Sequence, residues 1–422
     1  MKYTRRDGTP QRPAASLASG MSRRAAIGGA VAVSLAAPAI ADAESGRPIR
    51  IGEINSYTAV PAFTLPYRNG WQLAVAAINQ AGGVLGRPLE VLSRDDAGKP
   101  QDALRLAGEL VNGEKVDLLA GGFLSNIGLA LSDFARQNGA LYIAGEPLTD
   151  ALVWEKGQPN CFRLRPSTYM QAAMLVDEAA RLPARRWASV APNYEYGQSA
   201  VRWFRQLLRA RRPDVEFVAE QWPALGHIDA GAVSAALDAA APEAIFNVTF
   251  GADLTNFVRQ GGPRGLFERR VVVSMLTGEP EYLDPLGAEA PVGWIVTGYP
   301  PEQLDTPAHV AFRDAYRARF GQMPRMGSVV GYALMYAIAA GVTRAGRLEL
   351  AALIGGFAGA AFATPFGPAQ FRAIDHQSTL GTFVGRTALR GGKGVLADWR
   401  YVDGATVLPD AAAVRALRPG TP

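Results

Sequence analysis

The side chains best suited to chemistry are few in this 422-residue chain, and their spacing argues against the familiar catalytic constellations. There are three histidines, His227, His309 and His376, and a single cysteine, Cys161. No two histidines stand at the spacing with which a helix holds zinc, and no G-x-S-x-G turn presents a nucleophilic serine. The first strand-like run leads into Gly52-Glu53-Ile54-Asn55-Ser56 instead of a G-x-G-x-x-G turn, and no Walker A sequence occurs, so the usual phosphate cradles are missing. An enzyme would have to assemble its site from distant residues. The expectation is a protein that is not an enzyme and has no catalytic residues, metal or cofactor. A lone thiol permits no internal disulfide, and Cys161 reads as a buried, inert side chain. His376, in Arg372-Ala373-Ile374-Asp375-His376-Gln377, reads as a hydrogen-bonded structural group, with a cleft or hinge as the other place it can reach.

Charge narrows the field further. The chain carries 43 Lys and Arg against 38 Asp and Glu, a formal +5, and residues 1–43 hold six of the basic and two of the acidic groups. Without that segment the charge falls from +5 to +1, which lacks the electrostatic footprint of a nucleic-acid binder. The arginines at 202, 205, 209, 211 and 212 read as the solvated face of a helix. The opening segment itself reads as an export signal: Arg23-Arg24, a short apolar run over 27–40, and small residues at Ala39, Ala41 and Ala43. The twin-arginine form and the general secretory route both stay open, and Met21 is a second possible start. Cleavage near Ala41 or Ala43 would place the mature chain in the periplasm. No later stretch is expected to have the length of a membrane helix, 351–363 coming closest.

The elements that must position any site follow a simple rhythm. Strand-like runs at 49–54, 89–92, 116–120 and 141–144 alternate with helical patterns through Trp71, Ala74, Val75 and Ile78, through Leu104, Ala107 and Val111, and through Ile127, Leu131 and Phe134. The rhythm restarts with runs at 187–191, 215–219, 244–248 and 271–275, and 294–297 follows. Short βα connections of this kind specify parallel sheets covered by helices, and two such series imply two lobes. Two more helices follow, through Phe312, Ala315, Tyr316 and Phe320, and through Val330, Leu334, Ala337 and Ile338. The tail turns strand-like at 370–373, 381–386 and 395–402. Ligands of open α/β sheets sit outside the carboxyl ends of the strands, which singles out the loops after residues 54, 120, 144, 191, 248 and 275.

Several stretches in order carry a family resemblance: Asn69-Gly70, opening the first helix; Ile78-Asn79, Gly82-Gly83 and Gly86, closing it; Asp95-Asp96-Ala97 before Gln101; Tyr196-Gly197; and Tyr332-Ala333 in a late helix. The chain resembles the type I periplasmic binding proteins of ABC transporters, in the branched-chain amino acid and amide (leucine/isoleucine/valine-binding) group, from about residue 49 to 408. The resemblance implies two Rossmann-like α/β lobes joined by a three-strand hinge, with ligand in the interlobe cleft. Lobe one would be 46–165 and 297–364, lobe two 166–296 and 365–408, with 409–422 a C-terminal tail. It implies capture of a small organic ligand by lobe closure and delivery to ABC permease subunits in the inner membrane. A ligand-sensing subunit signalling to a regulatory partner uses the same scaffold and stays open as the alternative.

The resemblance also places site residues. The loop after the third strand, Gly121-Gly122-Phe123-Leu124-Ser125-Asn126, would receive a ligand carboxylate or amide, with Leu124, Ser125 and Asn126 at the start of a helix whose N–H groups favour an anion. Ser125 serves there as ligand hydroxyl or as a plain helix cap. The next loop, 145–149, would contribute Pro147, Leu148 and Thr149. Aromatic walls would come from Phe63, Tyr196 and Phe250, with Tyr67 and Tyr332 as weaker candidates, or these rings belong to the core. The acidic residue with which amino-acid-binding relatives hold an ammonium falls at Leu276 or Thr277, so either Glu279 has taken its place or the ligand has no amine. The relatives' cysteines fall at Gly98 and Leu124, so lobe one would be held by packing alone. The ligands in play are a branched-chain or related amino acid, an amide, or a hydrophobic or aromatic carboxylate.

Overall fold

The computed structural model describes residues 46–418, so the export segment with Arg23-Arg24 and the last residues of the tail lie outside the described residues. The first βα series is β1 (Ile49–Asn55), α1 (Pro61–Gln80), β2 (Leu89–Asp95), α2 (Pro100–Gly108), β3 (Leu118–Gly121), α3 (Ser125–Gln137), β4 (Tyr142–Ala144) and β5 (Cys161–Arg163). Its five strands form one parallel sheet in the order β2-β1-β3-β4-β5. The second series is α4 (Thr168–Ala179), β6 (Arg186–Val190), α5 (Glu195–Arg211), β7 (Glu216–Gln221), α6 (Ala230–Ala240), β8 (Ala244–Asn247), α7 (Gly251–Gly261), β9 (Val271–Gly278), α8 (Pro280–Leu283) and β10 (Ile295–Gly298).

After β10 come α9 (Pro307–Phe320), α10 (Met326–Ala345), α11 (Leu350–Phe357), β11 (Ala361–Thr364), β12 (Gly367–Gln370), β13 (Thr382–Arg390), β14 (Lys393–Val402) and α12 (Ala411–Leu417). Strands β13 and β14 join the second sheet as antiparallel edge strands, giving seven in the order β14-β13-β10-β9-β8-β6-β7. The α/β class and the two βα series are as the sequence indicates. The strand expected at 370–373 ends at Gln370, because the Arg372 guanidinium pairs with Asp375 and turns the chain.

Helix α1 begins at Pro61, where a missing N–H costs nothing, so Asn69-Gly70 lies inside the helix and does not open it. Gly70 has a packing role: α1 lies against α10, and a Cβ on Gly70 would fall 2.1 Å from the Ser328 carbonyl oxygen. Gly331 of α10 answers it, its Cβ position lying 2.1 Å from the Tyr67 carbonyl oxygen. Against expectation, α10 is long and apolar enough to cross a membrane by length and composition, but it is a core helix covered by α1 and α11.

The chain between β12 and β13 runs alongside β5. The Arg163 N–H donates to the His376 carbonyl, and the Ser378 N–H donates to the Arg163 carbonyl. His376 stacks on Phe162 with ring centres 4.0 Å apart, and its Nδ1 lies 3.0 Å from the Cys161 carbonyl oxygen. Burial pushes His376 down to about 4 and the Cys161 thiol up to about 12, so both are neutral structural groups at neutral pH.

Candidate functional site

The carboxyl ends of β3 and β4 in one sheet face the loops that start α5, α7 and α8 in the other. Gly121 and Gly122, at φ 102° and 80°, turn the chain out of β3, and the Tyr142 hydroxyl donates to the Gly121 carbonyl at 3.0 Å. Phe123, Ser125, Glu146 and Leu148 from the first side meet Tyr194, Tyr196, Phe250, Leu276 and Tyr282 from the second around a space of about 20 Å³. That is room for roughly one water. Larger hollows exist elsewhere, such as one of about 380 Å³ bordered by Pro280, Tyr299, Arg325 and Lys393, but none of the residues expected from sequence faces it.

Ser125 is the first residue of α3 and is almost fully buried; Leu124 occupies the cap position, so the plain capping role falls away. The Ser125 Oγ accepts from the Thr149 N–H at 3.2 Å, which ties the two loops together and leaves its own proton to donate. Thr149 donates its hydroxyl to Glu195 of α5 at 2.5 Å, joining the loop after β4 to the start of α5. Pro147 packs under α3 against Gly122 and Gly128, Leu124 is buried behind the loop, and Asn126 is exposed on the outer face of the helix.

The aromatic candidates form a connected chain. Phe63 meets Phe123 edge-on at 5.3 Å, Phe123 reaches Phe250 at 6.2 Å, and Phe250 reaches Tyr196 at 5.7 Å and Tyr282 at 6.3 Å. Phe63 is wholly buried behind Phe123 and does not face the space. Tyr67 is buried beneath α10, and Tyr332 packs on Phe312 and Tyr336. Leu276 faces the space at φ 66°, a conformation costing a non-glycine residue about 1–2 kcal/mol; its N–H donates to the Thr297 Oγ1 at 2.8 Å. Thr277 points into the sheet, its Oγ1 2.7 Å from the Ser274 Oγ.

Sequence reasoning named Glu279 but neither Arg165 nor Glu146, and Glu279 pairs with Arg165 and does not line the space. Arg165, just beyond β5, is 1% exposed and donates one Nη to Glu146 and the other to Glu279, bridging loops from both sides. Its guanidinium also lies 5.2 Å from the centre of the Phe63 ring. Glu281 accepts from the Gly327 N–H at 2.7 Å. Burial pushes Glu146 up to about 8 and Glu279 well above the usual carboxylate range, against the pull of Arg165. Burial likewise raises Glu281. One oxygen of each of these glutamates, and the hydroxyls of Tyr196 and Tyr282, are buried without a hydrogen-bond partner.

The chain matches the periplasmic binding protein family over residues 48–393 and belongs to that family. It is similar to the Leu/Ile/Val-binding protein BraC3 of Rhizobium johnstonii, 29% identical over 38% of this chain and 44% of that one, so this match spans less than half of the relative. It is also similar to the Leu/Ile/Val-binding protein homolog 7 of Brucella abortus, 24% identical over 92% of this chain and 98% of that one. In fold it resembles a solute binding protein of an ABC transporter from Rhodopseudomonas palustris, solved in complex with 3,4-dihydroxy benzoic acid. The TM-score is 0.75 at 23% identity, covering 86% of this chain and 98% of that one. The family is one of transporter substrate-binding proteins, and the fold is the two-lobed type I architecture.

Proposed function

We propose that the chain is an exported solute-binding protein of an ABC importer, which captures a small organic ligand between its lobes and delivers it to a membrane permease. The observation that carries this reading is the convergence of loops from the carboxyl ends of two separate sheets on one space, with buried polar atoms there that have no partner. Lobe one is taken as 46–165 with 297–364, and lobe two as 166–296 with 365–408. Residues 1–43 are taken as a signal removed near Ala41 or Ala43, which puts the mature chain in the periplasm.

In this reading the anionic or amide end of the ligand lies at the first turn of α3, where free N–H groups and the Ser125 hydroxyl donate. The apolar body lies against Phe123, Leu148, Phe250 and Leu276. Ligands in this class are a branched-chain or related amino acid, an amide, or a hydrophobic or aromatic carboxylate. None fits in about 20 Å³, so the solute enters by a parting of the lobes about the segments beside β5, and the closed form is what the permease would recognise.

The test is a thermal-shift panel of leucine, glutamate, short amides, urea, benzoate and cinnamate-type acids. A ligand at 100 times its Kd stabilises the native state by about 2.7 kcal/mol and raises Tm. A saturable shift with at least one compound, lost on replacing Phe250 with Ala, supports the reading. A shift unaffected by changes at Phe250, Ser125 and Leu148 places binding elsewhere and contradicts it.

A further inference from the structure

We infer that the hollow of about 380 Å³ bordered by Pro280, Tyr299, Arg325 and Lys393 is a second binding site, for a small carboxylate with an apolar body, and that its occupant is coupled to lobe closure. The site is separate from the space between the loops after β3 and β4 and the starts of α5, α7 and α8. Only the coupling rests on the solute-binding reading.

The hollow has the size and lining of a small-molecule site, since such sites usually enclose about 300–1,000 Å³ with mostly apolar walls and a few polar groups. Leu283, Tyr299, Pro300, Met323, Val395 and Leu396 supply the apolar wall. That wall is held in place. The Tyr299 hydroxyl lies 2.6 Å from the His309 Nε2, and Gln303 donates to the Leu396 carbonyl at 2.8 Å while accepting from the Trp399 indole N–H at 2.9 Å. Gly394 lets the start of β14 approach closely, because a Cβ there would fall 2.5 Å from the Ala290 Cβ. A preformed hollow spares its occupant the cost of ordering side chains.

The charges at the mouth select an anion. Arg325, Arg390 and Lys393 stand against Asp284 and Glu302. Arg325 is satisfied by Asp284 at 2.6 Å, whereas Arg390, Lys393 and Glu302 are in no ion pair among the described residues. Two free cations therefore outnumber one free carboxylate. Arg390 and Lys393 are also direct partners across the β13–β14 hairpin, and like charges directly opposite each other destabilise a sheet. A carboxylate at the mouth relieves that repulsion, which an amide or an amine does not.

The walls come from both sides of the proposed lobe boundary. In that division residues 299–303 and 322–325 belong to lobe one, and residues 278–284 and 390–396 to lobe two. An occupant touching both walls loses contacts when the lobes part, so it favours the closed form. Linkage makes the effect reciprocal: the occupant tightens solute binding by the same factor as solute tightens the occupant.

The experiment is calorimetry of the purified protein with hexanoate and 3-phenylpropionate against their amides, hexanamide and 3-phenylpropionamide. It is run on the parent, on Phe250→Ala, and on the double variant Arg390→Gln with Lys393→Gln, whose exposed side chains can change without unfolding the chain. At least one acid should bind the parent and Phe250→Ala alike, at least about tenfold tighter than its amide, and about tenfold or more weaker in the double variant. At saturation it should raise the parent's affinity for the compound with the largest Tm shift in the solute panel, and not that of the double variant. Acids that bind no tighter than their amides, or that lose binding in Phe250→Ala but not in the double variant, overturn the site. An unchanged solute affinity with the hollow filled overturns the coupling. A solute panel without any binder contradicts the solute-binding reading and removes the coupling with it, while the comparison of acid with amide still decides the site.

Discussion

Replacing Arg165 with Met keeps an unbranched apolar stem and removes the guanidinium and its charge. The structure sets the size of the effect. Among the described residues Arg165 is the cationic partner of both Glu146 and Glu279, all three are at most 2% exposed, and the other oxygen of each glutamate is already unpaired. The variant therefore leaves two buried carboxylates with no counter-charge. Breaking a buried pair from one side costs about 3–5 kcal/mol, and proton uptake by the glutamates caps the loss near that range instead of doubling it. At about 2 °C or less per kcal/mol for a chain of this size, Tm at pH 7.5 should fall by roughly 5–10 °C.

The sign of the pH dependence follows from linkage. Both glutamates have folded pKa values raised above their unfolded value, more so without Arg165, so the native state holds protons that the unfolded state gives up. That penalty grows as pH rises above the unfolded carboxylate range and vanishes below it. The deficit of Arg165→Met, followed by calorimetry from pH 4 to 8, should therefore shrink as pH falls. Adding Glu146→Gln and Glu279→Gln should recover most of the lost stability, since a neutral network carries no such cost. A Tm within 1 °C of the parent (against the roughly 5–10 °C expected), or a deficit that widens toward acid, would refute the reasoning.

Three further outcomes follow from contacts described above. Ser125→Ala should weaken ligand binding by about 1–3 kcal/mol and also lower ligand-free stability by about 1 kcal/mol, because the buried Thr149 N–H loses its acceptor; an unchanged urea midpoint would exclude that contact. Gly331→Ala forces a methyl group onto the Tyr67 carbonyl and should cost at least about 1–3 kcal/mol, read as reduced yield and a lower midpoint; a neutral result would mean that α1 and α10 can separate freely. His376 is buried neutral with its pKa pushed down to about 4, so the stability it lends is lost as pH falls from the unfolded histidine range toward that value. His376→Phe should accordingly lose less stability than the parent between pH 7 and 4.5, and an identical slope would assign that titration to other groups.

The βα rhythm was legible because buried parallel strands such as β3, β8 and β9 are short, nearly continuous apolar runs bounded by turn residues. Strand β5 was not, since three residues including an arginine give no period to read. Helix α4 escaped notice for a different reason: it is buried on most sides, so its apolar residues mark no single stripe. The site loops followed from topology, because strand ends are where such sheets bind. What topology does not convey is which side chains inside those loops turn inward. Asn126 points to solvent one position after a buried serine, and Thr277 points into the sheet one position after Leu276. Arg165 was the least accessible to reasoning from order alone: its partners lie 19 and 114 positions away, and only the folded chain brings their charges together.

Native mass spectrometry of the protein purified without refolding tests the solute-binding account most directly. The account predicts a population of chains carrying one small molecule each, released on unfolding, with Phe250→Ala and Ser125→Ala variants of intact fold losing it. Chains that stay free of any small molecule after incubation with a cell metabolite extract and with the ligand panel, or that carry one undiminished in both variants, would contradict it.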